Sequence, residues 1–133
     1  MASKGDTPTQ SQYQPLPEDE VYLEAYANNV YFEHSVWDLK LIFGQLDQRE
    51  GKLIVKQHTA ITLPWAQVKI LSYWLRGHVE AYEFANGRIP IPSSVIPPEL
   101  PPPTDEQKSD PNTEKVFEIF NRLRAEFVRD IGQ

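Results

Sequence analysis

Apolar and polar residues change their spacing three times along this chain, and each change marks an element. Val21, Leu23, Ala25 and Ala27 alternate with Tyr22, Glu24, Tyr26 and Asn28, the period of two expected of a half-buried strand. Asn28-Asn29 predicts a bend, because asparagine tolerates positive φ, and Val30 and Phe32 then continue as strand. A further strand places Trp37, Leu39, Leu41 and Phe43 on one side and Asp38 and Lys40 on the other. Gly44 loosens it, and Asp47-Gln48-Arg49-Glu50-Gly51 reads as a charged connection. Residues 52–63 are rich in β-branched side chains and form the next strand. Leu53, Val55, Ile61 and Leu63 share a face by simple alternation, with polar Gln57 and Thr59 between them. That interruption predicts an edge, a bulge or a partly covered face.

The period then changes to that of a helix. Residues 64–87 read as one helix about 31 Å long. It opens at Pro64, whose missing N–H is not needed in a first turn, and closes at Asn86-Gly87, a left-handed cap. Val68, Leu71, Leu75, Val79 and Tyr82 make one apolar stripe; Ile70, Trp74, Gly77, Ala81 and Phe84 make a second on nearly the opposite side. A helix greased on two sides requires two surfaces to cover it. The first stripe is expected to lie on the sheet.

Seven prolines between Pro90 and Pro103 favour a stiff extended spacer. Asp110 and Pro111 then predict the start of a second helix, running to about residue 131. Its apolar side carries Val116, Ile119, Phe120, Leu123, Phe127 and Ile131, widened by Phe117 and Val128. The expected class is α+β: an antiparallel meander of three to four strands packed by one long helix, plus a proline-rich linker and a C-terminal amphipathic helix. The organisation is a disordered leader at 1–19, a core at 20–91, a linker at 92–110 and a docking helix at 111–133.

Charge narrows the partners. The net value of −6 is divided as −3 over residues 1–20, zero over 21–97 and −3 over 98–133. A neutral middle with acidic ends is the opposite of a nucleic-acid footprint and is disfavoured at an anionic membrane. The absence of cysteine removes disulfides, thiolate metal sites and cysteine nucleophiles. The first residues lack the apolar stretch of a signal peptide, and no run approaches the ~20 apolar residues of a membrane span. A cytoplasmic protein is expected.

Candidate chemistry is sparse. His34, His58 and His78 show no ligand spacing, so structural histidines are expected rather than a metal site. Asp38 and Glu83 are the candidates for an acid/base pair, against a plain reading as solvated carboxylates. The glycines are isolated, forming no phosphate loop, and no serine occupies a nucleophile-elbow context. Tyr22, Tyr26, Tyr31, Tyr73 and Trp74 are residue types that carry interface energy disproportionately, or they extend the core. Pro98-Glu99-Leu100-Pro101 fits the form read by aromatic grooves, though a spacer explains it as well.

One resemblance is carried by Tyr26-Ala27-Asn28-Asn29-Val30, by Asp38-Leu39-Lys40-Leu41-Ile42-Phe43-Gly44, by Pro64, Ala66, Leu71 and Leu75, and by Tyr82-Glu83 with Gly87-Arg88-Ile89. Their order and spacing resemble those of a family of small bacterial proteins designated domain of unknown function three-four-six-seven. That family runs Tyr-x-Asn, then Asp-Phe-x-Leu-x-Phe-Gly, then a proline-started helix ending Tyr-Glu-x-x-x-Gly-x-Ile. The resemblance covers residues 20–91. Leu39, Ile42 and Leu63 depart from the family's preferences for phenylalanine, an acidic residue and a capping serine. It implies a bacterial source and a meander-plus-helix fold, and it brings no catalytic residue with it.

The sequence therefore leads to a non-enzymatic interaction protein, an oligomeric or accessory subunit of a larger bacterial assembly. Its binding residues are expected to be Ile70, Trp74 and Ala81 on the long helix and Val116, Phe117, Phe120, Leu123 and Phe127 on the second. No cofactor is implied. The alternative is a small-ligand or regulatory domain with the aromatics and His58 as pocket walls.

Overall fold

The computed structural model describes residues 12–20 and 22–132. Residues 1–11 of the expected leader, and Val21 of the first expected strand, lie outside that range. The chain divides into two units, Met1–Ile70 and Leu71–Gln133.

The first unit holds a three-stranded antiparallel sheet in the order β1-β2-β3, with β1 at Asn29–His34, β2 at Asp38–Arg49 and β3 at Lys52–Pro64. Connections this short leave the strands no arrangement but an antiparallel meander. Ser35 builds the first turn: its hydroxyl accepts from the Trp37 and Asp38 amides at 3.1 Å each and donates to Asp38 Oδ1 at 3.0 Å. Trp37, expected in the strand, belongs to this turn and is 80% exposed. The second turn is Glu50-Gly51, with φ of 52° and 76°. Two successive positive φ values suit the right-handed twist of a tight hairpin, so β2 runs to Arg49 and the expected five-residue connection shrinks to two.

The alternating segment before β1 does not become a strand in residues 22–27. Asn28 explains why. Its amide donates to the Gly44 carbonyl at 3.1 Å, and its Oδ1 accepts from the Leu46 amide at 2.6 Å. The side chain thereby occupies a ladder position on β2 that a continuing strand would need, and the chain bends away, as Asn28-Asn29 predicts.

The bulge expected near Gln57 and Thr59 is present. Phe43 pairs with Thr59 and Gly44 with Gln57, leaving His58 as the extra residue. Its Nε2 donates to the Tyr26 carbonyl at 2.9 Å, and Nδ1 accepts from the Thr59 hydroxyl at 2.8 Å. The bulge overturns the facing read from alternation. Directly opposed residues share a face. Leu63 and Ile61 therefore stand with Leu39, Leu41, Phe43, Phe32 and Val30, whereas Val55 and Leu53 stand with Leu46 and Gln48 on the other face. Gly44 is buried at the crossing point.

The helix α1 spans Trp65–Asn86, one residue later than the proline start suggests, because Pro64 still pairs with Asp38. Trp65 Nε1 donates to the Ser35 carbonyl at 2.9 Å, tying the helix start to the first turn. In the second unit Gly87 closes α1 with φ 89°, its amide on the Glu83 carbonyl at 2.9 Å. Glu83 Oε2 accepts from the Ile89 amide at 2.9 Å and directs the exit.

The proline-rich stretch contains two short 3₁₀ turns, Ser93–Val95 and Gln107–Ser109. Thr104 and Gln107 bond reciprocally, amide to side chain, at 2.9 and 3.2 Å, the Thr-x-x-Gln form of a capping box. The second helix, α2, spans Thr113–Asp130. Asp110 prepares it, accepting from Asn112 N on its carboxylate at 2.9 Å and from Thr113 N on its carbonyl at 3.1 Å.

Candidate interaction surfaces

Among the described residues no hydrophobic side chain is buried. On the sheet, Val30, Phe32 and Ile61 are exposed on one face, and Leu53 and Val55 on the other. On α1, Val68 and Leu71 are half-buried, while Leu75, Val79 and Tyr82, which continue the same stripe, are exposed. The row assigned to a core by periodicity is open over its second half.

The other stripe of α1 is open throughout. Ile70 is 48% exposed, Trp74 54% and Phe84 94%, and Ala81 is exposed as well. Tyr73 sets its ring edge-on to Trp74, centroids 5.1 Å apart at 71°. Together with Gly77, His78, Glu80 and Ala81 they line a shallow groove. Arg76 and Glu80 form an exposed ion pair at 3.5 Å beside it, in the weaker of the two helical orientations.

Two sides of α2 are used differently. Phe117, half-buried, lines a recess with Leu100 and Pro102. Arg124 beside it donates to the Pro97 carbonyl at 2.8 Å and approaches Glu99 at 3.5 Å. This side of the helix holds the proline-rich stretch. Val116, Phe120 and Leu123 face elsewhere and remain exposed. Phe127, with Ile131, borders a groove whose other wall is Val79, Glu83, Ile89 and Ile91. Neither feature is among those expected from the sequence: the Thr-x-x-Gln box carries a signal in its spacing, whereas the pairing of Arg124 with a carbonyl 27 residues away carries none.

Polar candidates are engaged locally. Asp38 serves the first turn and Glu83 the helix exit. His58 is held by the bulge. Among the described residues no three of His, Asp and Glu gather as a metal cluster, and no helix is long and apolar enough to cross a membrane.

Over residues 1–91 the chain matches the family described as protein of unknown function (DUF3467). It belongs to this family. The DUF3467 match ends at residue 91, so most of the proline-rich stretch and all of α2 lie outside it. Residues that carry the resemblance fall on structural positions: Asn28 at the bend, Gly44 at the bulge, Glu83 and Gly87 at the helix exit. No curated protein and no solved structure matches the chain.

Proposed function

We propose that this DUF3467 protein is a non-enzymatic interaction protein, an oligomeric or accessory subunit that gains its apolar core by association. The observation that supports this reading is the absence of any buried hydrophobic side chain among the described residues. A self-sufficient domain of this length removes roughly two-thirds of its surface from water on folding. Each large apolar side chain left open forgoes about 1.5–3 kcal/mol, and the open ones here lie on ordered strands and helices. The contact residues are Ile70, Trp74 and Ala81 on α1, and Val116, Phe117, Phe120, Leu123 and Phe127 on α2. A neutral middle region makes a protein surface the fitting partner, not nucleic acid or anionic lipid. A chain without cysteine suits a reducing cytoplasm, where we place it.

Sedimentation of the parent chain and of Trp74→Glu tests the reading. The parent is expected to sediment as an oligomer, and the variant at lower mass or with loss of solubility. A parent that is a clean monomer at high concentration would overturn the proposal and favour a ligand pocket instead.

A further inference from the structure

We infer that residues 22–27 are a strap with two resting places, one across the sheet and one along the open edge of β2, with Asn28 as its latch. The device belongs to the single chain and is independent of the association reading above. Its place across the sheet is fixed by two contacts. β3 lies on the far side of β2 from β1, so His58 Nε2 reaches the Tyr26 carbonyl only because the segment crosses over β2. The other contact is Asn28 Oδ1 on the Leu46 amide. Beside this crossing the edge is open. Among the described residues β1 covers β2 from Leu39 to Gly44, and no strand flanks Gln45 to Arg49 on that side.

The open edge fits the segment in register. The Ser35 amide donates to the Asp38 carbonyl, which sets the opposed pairs that exchange hydrogen bonds, every second one along the ladder. Carried past Asn29 and Gly44 without a skipped residue, the next exchanging pair is Ala27 with Leu46, then Ala25 with Gln48. In that ladder the Leu46 amide donates to the Ala27 carbonyl. Asn28 Oδ1 now stands in for that oxygen, the competition with a sheet ladder open to an asparagine side chain. The facing agrees, because Ala27 and Ala25 join Leu46, Val55 and Leu53. Charge agrees as well. Glu24, which has no ion pair among the described residues, comes opposite Arg49. Arg49 holds Asp47 on its own strand but stands across the ladder from Lys52, a like charge that costs stability.

The two places exclude each other, since the Leu46 amide has one proton to give. Moving the strap uncovers the part of the sheet it crosses and closes an edge otherwise open to another chain. A partner that takes the uncovered face therefore drives the strap to the edge, by preferring one of two states of the same chain.

The test uses the full chain, in which engineered thiols are the only ones, under mild oxidation. Glu24→Cys with Arg49→Cys puts two thiols on an opposed, non-exchanging pair whose Cα atoms would lie ~4.5 Å apart, within disulfide range. This pair is expected to link within one chain roughly tenfold faster than Leu23→Cys with Arg49→Cys, which is one residue out of register and faces the other way. Adding Asn28→Val removes the stand-in oxygen and is expected to speed the in-register link about fivefold, the worth of one net hydrogen bond. Equal rates for the two cysteine pairs, or a link between two chains, would sink the strap. So would a rate that Asn28→Val leaves unchanged or lowers. The comparison of the two pairs needs no change at Asn28, so it decides the matter even where that variant fails to fold.

Discussion

At the scale of single residues, Gly44 shows how one missing side chain permits a strand to continue. A Cβ at this position would lie 2.8 Å from the Lys56 carbonyl oxygen and 3.0 Å from Val55 Cγ1. The first neighbour is backbone and cannot step aside without moving β3. Gly44→Ala is therefore expected to destabilise by about 1–3 kcal/mol, read as a lower urea midpoint at unchanged slope. A midpoint equal to the parent's would mean that the bulge absorbs the methyl group. Gly77 offers the contrast: a Cβ there would meet nothing within 4 Å among the described residues, so a methyl group would fit without displacing a neighbour.

At the scale of elements, the bulge at His58 does two things at once. It moves the apolar row of β3 from one face to the other, and its imidazole ties down the segment before β1 through the Tyr26 carbonyl. His58→Ala is expected to speed amide exchange at Asn28, the hydrogen-bonded amide of the segment, by about fivefold, since a net hydrogen bond of ~1 kcal/mol is lost, while exchange in the β1–β2 ladder stays as it was. Equal protection in parent and variant would show that Asn28 alone holds the segment. The boundaries of β3, α1 and α2 were legible because proline, Asn-Gly and Asp-Pro punctuate the chain there. The bulge was legible as an interruption, yet its consequence for facing was not, because counting by two assumes that no residue is skipped. The segment at 22–27 has strand periodicity without a strand, since periodicity records which side would be buried and not whether a ladder position is free. Trp37 misled for a related reason: it continues the alternation, but the Ser35 turn claims it first. The candidate contact residues were legible as apolar stripes on α1 and α2; that the first stripe of α1 is also half open was hidden, because a sequence pattern cannot say how much cover one chain provides.

At the scale of the whole molecule, the lack of any buried apolar side chain among the described residues predicts coupled folding and assembly. Anything that binds only the folded form raises its apparent stability by mass action. The melting temperature is expected to rise by several degrees over a hundredfold increase in protein concentration, followed by circular dichroism. A Tm independent of concentration would mean that stability resides in the single chain. The facing of the sheet carries the argument to the order of layers. Both faces carry apolar residues on either side of the bulge, Leu41 and Ile54 on one and Ile42 and Val55 on the other. One flat neighbour can dry only one of these faces. A sheet greased on both sides belongs in the middle of a sandwich, so it calls for a cover from above and another from below, and a neighbour meeting it at a single contact leaves one side wet.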